Sequence, residues 1–136
     1  MQLLARADVV TFHTPLTSET RHLISGTTIG QMKDGVIFIN TSRGGVQDER
    51  ALFEALTRKK LAAVGLDVWE EEPVSRDNPL LNLPNVICTP HVAGLSETAV
   101  RNIATQVAEE ILRVLRGEKP KVLGNPDRWP RLTYLK

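Results

Sequence analysis

Strand-like and helix-like segments alternate along these 136 residues, which predicts an α/β domain built on a parallel sheet with right-handed crossovers. Two observations carry that expectation. Short apolar or β-branched runs recur at residues 8–12, 35–39, 61–66 and 86–89, each followed by polar or glycine-bearing residues. Between them lie stretches whose apolar residues return every three or four positions.

The elements follow in order. Asp8-Val9-Val10-Thr11-Phe12 reads as a strand running into a turn at Pro15. Ser25 caps a short helix that carries Ile29 and Met32 and ends at Gly35. Gly35 to Ile39 is an unbroken apolar run of strand length, expected to be buried on both faces. Asp48 caps a second helix with Leu52, Ala55 and Leu56 on one side, and its closing Arg58-Lys59-Lys60 suits the negative end of the dipole. Leu61 to Leu66 forms a third strand ending near Asp67. A long acidic and proline-bearing loop, Glu70 to Pro84, leads to the fourth strand at Val86 to Thr89. The last helix has the clearest pattern: Val100, Ile103, Ala104, Val107, Ile111, Val114 and Leu115 at helical spacing, with Ser96 before and Gly117 and Pro120 after.

Hydrophobic content of 41%, charged content of 24% and a net charge of +1 are those of one ordinary soluble domain, with no case for nucleic acid or an acidic partner. Arg113 to Lys136 carries seven basic and two acidic residues against ten and fourteen before it, and Pro120, Pro126 and Pro130 share that stretch. Residues 120–136 are therefore expected to be a solvated basic tail following a domain at 1–119, a phosphate-binding strip being the sharper alternative. The single cysteine, Cys88, fits a reducing compartment, and its apolar neighbours suggest a small core residue. Met1 to Val10 lacks a signal-peptide core, and no run approaches the ~20 apolar residues of a membrane helix. A cytoplasmic protein is expected.

In an open α/β sheet, ligands bind beyond the carboxyl ends of the strands. Four such ends bear His13-Thr14-Pro15-Leu16-Thr17, Asn40-Thr41-Ser42-Arg43-Gly44-Gly45, Asp67-Val68-Trp69-Glu70-Glu71-Glu72-Pro73 and Thr89-Pro90-His91-Val92-Ala93-Gly94. Polar, glycine-bearing and ionisable residues thus gather at one sheet edge. Arg43 precedes two glycines that let the backbone turn and a ligand approach; its planar fork matches a carboxylate bidentately, or it bonds carbonyls of its own turn. Glu72 closes an acidic run, and such runs are usually solvated, but Pro73 fixes the chain direction after it. His91 lies just past a buried strand between Pro90 and Gly94, with a side chain suited to proton transfer. His13 occupies a comparable strand end, and His22 is expected at the surface.

Taken together, these residues resemble the D-isomer-specific 2-hydroxyacid dehydrogenases. The likeness is carried by ADVVTFHTPLTSETRHLI, MKDGVIFINTSRGGVQDERAL, GLDVWEEEP and LPNVICTPHVAG, in register over about residues 3 to 118. It implies a Rossmann-like NAD-binding domain that transfers a hydride between NAD(H) and a small 2-hydroxyacid or 2-oxoacid, with NADP as the open alternative and homodimers through this domain. Under it, Arg43 holds the substrate carboxylate, His91 is the proton donor and acceptor, and Glu72 is its carboxylate partner. Asp67 bonds the nicotinamide carboxamide, Thr41 and Ser42 contact the nicotinamide end, and Gly94 forms its other wall. Thr14, Pro15 and Thr20 lie in the loop beneath the adenosine ribose and phosphates.

One departure stands out. No G-x-G-x-x-G occurs on a strand-to-helix turn, although that fingerprint supplies the pyrophosphate site. By the resemblance, the first strand, that glycine-rich turn and the substrate domain lie upstream of residue 1. The expectation is an incomplete domain whose isolated chain is inactive, with the strand at Asp8 to Phe12 an exposed edge. The competing reading is a non-catalytic NAD(H)-binding or interaction module, as in the family's corepressors.

Overall fold

The structure, a computed structural model, describes residues 2–124. It divides into two compact units, Met1–Ala93 and Gly94–Lys136. The first holds a four-stranded sheet in the order β1-β2-β3-β4, formed by Val9–Phe12, Val36–Asn40, Leu61–Leu66 and Val86–Cys88. All three pairings are parallel, and β1 and β4 are the outer strands.

The helices of this unit begin where side-chain caps were legible. The Ser25 hydroxyl accepts from the Thr28 amide at the start of α1 (Gly26–Gly30), and the Asp48 carboxylate accepts from the Ala51 amide at the start of α2 (Glu49–Thr57). α1 is shorter than expected: the chain leaves the helix at Gln31 and turns through Gly35, whose φ of 82° is left-handed. Met32 still reaches the core from that turn, which is why its spacing mimicked a longer helix. Within the long acidic loop, Asn78 caps a 3-10 turn at Pro79–Asn82 that anchors Leu80 in the core.

The core gathers Val10, Val36, Phe38, Val64 and Leu66 of the sheet with Ile29, Leu52, Ala55 and Leu56 of the two helices. β2 is therefore not buried on both faces. Val36 and Phe38 are buried, whereas Ile37 is 40% exposed, and Val9 beside it on β1 and Ile87 on β4 are exposed too. α1 and α2 pack on one face of the sheet, and an unbroken apolar run does not reveal from within itself which face is covered. Cys88, expected in the core, lies exposed on β4 for the same reason.

The second unit is built on α3 (Glu97–Leu115), capped by Ser96, whose hydroxyl accepts from the Ala99 amide at 3.1 Å. The expected apolar stripe is present, with Val100, Ile103, Val107, Ile111 and Leu115 at least half exposed. Of the predicted basic tail, residues 125–136 lie outside the described residues.

Candidate active site

Parallel strands all end on the same side, so the segments after β2, β3 and β4 meet there by geometry alone. Asn40, the last residue of β2, is fully buried and organises the first of them. Its side-chain amide donates to the Arg43 carbonyl at 3.0 Å and to Gln47 Oε1 at 2.8 Å, while its oxygen accepts from the Ser42 amide and hydroxyl. Gln47, also buried, passes the connection on by donating to the Val68 carbonyl at 3.2 Å. This network sets the turn that carries Arg43. The turn's two glycines leave room for the protein rather than for a ligand. A Cβ on Gly44 would lie 1.8 Å from the Trp69 carbonyl oxygen, and one on Gly45 2.9 Å from the Leu16 side chain. The guanidinium of Arg43 is exposed, donates to the Ser42 carbonyl, and has no carboxylate partner among the described residues.

Asp67 follows β3 and is 3% exposed. Its Oδ1 accepts from the Thr89 hydroxyl at 2.5 Å and the Val92 amide at 2.8 Å, and its Oδ2 from the Ala93 amide at 2.8 Å. Burial pushes this carboxyl up, but those three donors and the nearby His91 charge outweigh it and hold Asp67 below the usual carboxylate range. Of roughly four acceptor positions on a carboxylate, three are occupied by its own chain. The segment after β4 is thereby tied to the end of β3.

His91 sits in that segment with φ 58°, a left-handed conformation that histidine tolerates better than most residues. Its Nδ1 lies 2.8 Å from Glu72 Oε2. Glu72 Oε1 accepts from the Trp69 amide at 3.0 Å, so the loop folds its third glutamate back over its start. The His91 hydrogen bond, then the Trp69 amide, hold the Glu72 carboxyl below its ordinary range. With Glu72 ionised, Nδ1 must donate, which leaves Nε2 as the nitrogen free for another partner. Trp69, Glu72, Pro73, Val74, Pro90 and His91 line a depression of about 420 Å³ beside the pair.

Other sequence candidates fall into place differently. Thr20 donates its hydroxyl to the Pro15 carbonyl and accepts from the Thr17 amide, both at 2.7 Å, closing the loop after β1 on itself. The Thr14 hydroxyl in the same loop is buried without a hydrogen-bond partner among the described residues. Thr41 is exposed at the head of the Arg43 turn, and Gly94 opens the second unit. His13 pairs with the nearby Thr11 hydroxyl at 3.1 Å. His22, expected at the surface, is exposed there and reaches Glu70 Oε2 at 3.3 Å. Asn40, named only as part of a strand end, and Gln47 were given no role from the sequence; the available signal for Asn40 was a polar residue closing an otherwise apolar strand.

A parallel α/β sheet with an imidazole–carboxylate pair beyond its strand ends defines a Rossmann-like domain of the dinucleotide-binding class. The chain belongs to the D-isomer-specific 2-hydroxyacid dehydrogenase family: the profile of that family's NAD-binding domain matches residues 1–93. The D-3-phosphoglycerate dehydrogenase of Methanocaldococcus jannaschii is 48% identical over 96% of this chain and 25% of its own length. The glyoxylate reductase of Korarchaeum cryptofilum is 44% identical over 93% of this chain and 38% of its own. Among solved structures, the D-lactate dehydrogenase of Lactobacillus jensenii with NAD+ has a TM-score of 0.81 at 33% identity, covering 90% of this chain and 41% of that one. A family member from Xanthobacter autotrophicus Py2 in complex with NADPH and MES has a TM-score of 0.81 at 38% identity, covering 93% and 52%. The chain therefore spans a quarter to about half of the lengths of these relatives.

Proposed function

We propose that this chain forms the proton-transfer side of an oxidoreductase site that interconverts a 2-hydroxyacid and a 2-oxoacid with NAD(H). The observation that carries the reading is the Glu72–His91 pair beyond the strand ends, with the Arg43 guanidinium, which has no carboxylate partner among the described residues, on the adjoining strand end. The bound nicotinamide supplies the hydride or accepts it. As C2 of the oxoacid is reduced, the carbonyl electron pair moves to its oxygen, which takes a proton from His91 Nε2. In the reverse direction Nε2 accepts that proton. Glu72 holds the ring by Nδ1 and balances the positive charge while the proton resides on the imidazole. Arg43 binds the substrate carboxylate and stabilises negative charge on the neighbouring oxygen.

The residues present fit a dinucleotide. The buried, unpartnered Thr14 hydroxyl lies in the loop assigned to the adenosine end, and Asp67 keeps about one acceptor position for a carboxamide N–H. Thr41 and Ser42 are assigned to the nicotinamide end, and Pro15 and Thr20 to shaping the adenosine loop. NAD is the favoured cofactor, with NADP used as a second arm of the assay. Because the chain contains no G-x-G-x-x-G turn, it supports little turnover by itself.

The test is a chimera in which this chain replaces its matching 130 residues in the M. jannaschii enzyme. NADH-dependent reduction of a 2-oxoacid is expected, with kcat falling about 10²–10⁴-fold in the His91→Gln variant. A folded chimera that binds NADH without turnover, or a His91→Gln variant with undiminished kcat, would overturn the assignment.

A further inference from the structure

Arg43 and Glu72 ride on separate connections, and something must hold those two at a constant spacing. At the outer end of the Arg43 turn, the main-chain amide of Glu49 donates to Glu70 Oε1 at 2.6 Å. The amide of Glu70 donates back to Glu49 Oε1, also at 2.6 Å. Each glutamate thus caps the other's backbone. Glu49 is the first residue of α2, where the helix dipole and free amides favour negative charge. The remaining oxygens are engaged as well: Asn78 Nδ2 donates to Glu49 Oε2 at 2.6 Å, and His22 Nε2 lies 3.3 Å from Glu70 Oε2. Glu70 is two residues before Glu72, and Glu49 six after Arg43.

We propose that Glu49 is a positioning residue: paired reciprocally with Glu70, it fixes the loop bearing Glu72 against the turn bearing Arg43. The inner contacts, Gln47 to Val68 and Gly44 beneath Trp69, set the depth of the loop. They act before the chain reaches Glu70; beyond it the outer clasp works together with the bonds of Glu72 to the Trp69 amide and His91 in setting residues 70–72. The catalytic importance of this spacing rests on the function proposed above, whereas the clasp itself is tested without turnover.

The experiment follows the carboxyl titrations of Glu72 and Asp67 by ¹³C NMR in the 136-residue chain. Glu49→Ala is expected to move the Glu72 titration up by about half a pH unit or more towards the ordinary range, while Asp67, bound to other donors, stays in place. Glu49→Gln, which keeps one acceptor for the Glu70 amide, restores most of the original Glu72 titration. Glu70→Ala produces the same shift, and the double variant moves it no further, because both changes open one clasp. An unchanged Glu72 titration in folded Glu49→Ala overturns the proposal, as does equal movement of Glu72 and Asp67, which marks general loosening. If Glu49→Ala does not fold, Glu70→Ala decides by the same criteria. Failure of both to fold makes the pair a requirement of the fold and removes the positioning role.

Discussion

The site has a floor and a rim, and they are built on opposite terms. On the floor, Asn40, Gln47 and Asp67 are buried polar groups whose bonds run to their own chain, and Gly44 lies directly beneath a peptide. On the rim, Arg43, Glu72 and His91 are exposed, and among the described residues Arg43 keeps donors and His91 its Nε2 without a partner. The lesson is a division of labour. Groups that must stay put are mostly satisfied by their own chain, Asp67 at three of roughly four acceptor positions; groups that do chemistry are left freer and borrow their geometry from those below.

Changes to the floor should therefore unfold the protein before they touch chemistry. The largest effect is expected for Asp67→Ala, which strands the Thr89 hydroxyl and two main-chain amides; a loss of about 3–5 kcal/mol should be visible as a lower urea midpoint. Gly44→Ala should follow at about 2–3 kcal/mol, since its methyl group meets backbone that has no rotamer to yield. On the rim, His91→Asn should leave stability within about 1 kcal/mol of the original, and a larger loss would erase the contrast.

Acid sharpens the comparison. Asp67 and Glu72 both titrate below the ordinary carboxylate range when folded. Their contribution is complete above the unfolded pKa of about 4 and is lost as pH falls through the lower folded values. Urea midpoints should fall below about pH 4, with a shallower fall in Glu72→Gln. The smallest effect concerns Cys88: it lies exposed on β4, yet partial burial pushes its thiol up. Labelling by a thiol reagent should be slow at pH 7 and accelerate markedly at pH 10.

The strand ends were the most legible part of the molecule. A parallel sheet obliges its carboxyl ends to converge, so locating Arg43, Glu72 and His91 after three strands sufficed to bring their segments to one edge. The caps Ser25, Asp48 and Ser96 were equally readable, because a cap is a local hydrogen bond. Long-range facts were not. The open face bearing Ile37 depends on which helices cover the sheet, and the reason for Gly44 lies 25 residues away at Trp69. The Glu49–Glu70 clasp was hidden because acidic residues at a helix start and in a loop look solvated until their partners are known.

The left-handed backbone at His91 narrows what can stand there. Asparagine, aspartate and glycine enter that region readily, whereas valine, isoleucine and threonine are strongly disfavoured in it. A relative that had abandoned proton transfer but kept this loop would therefore be expected to carry asparagine or glycine at this position rather than a β-branched residue. The backbone records the shape of the loop separately from the chemistry of its side chain, so the two can be lost one at a time.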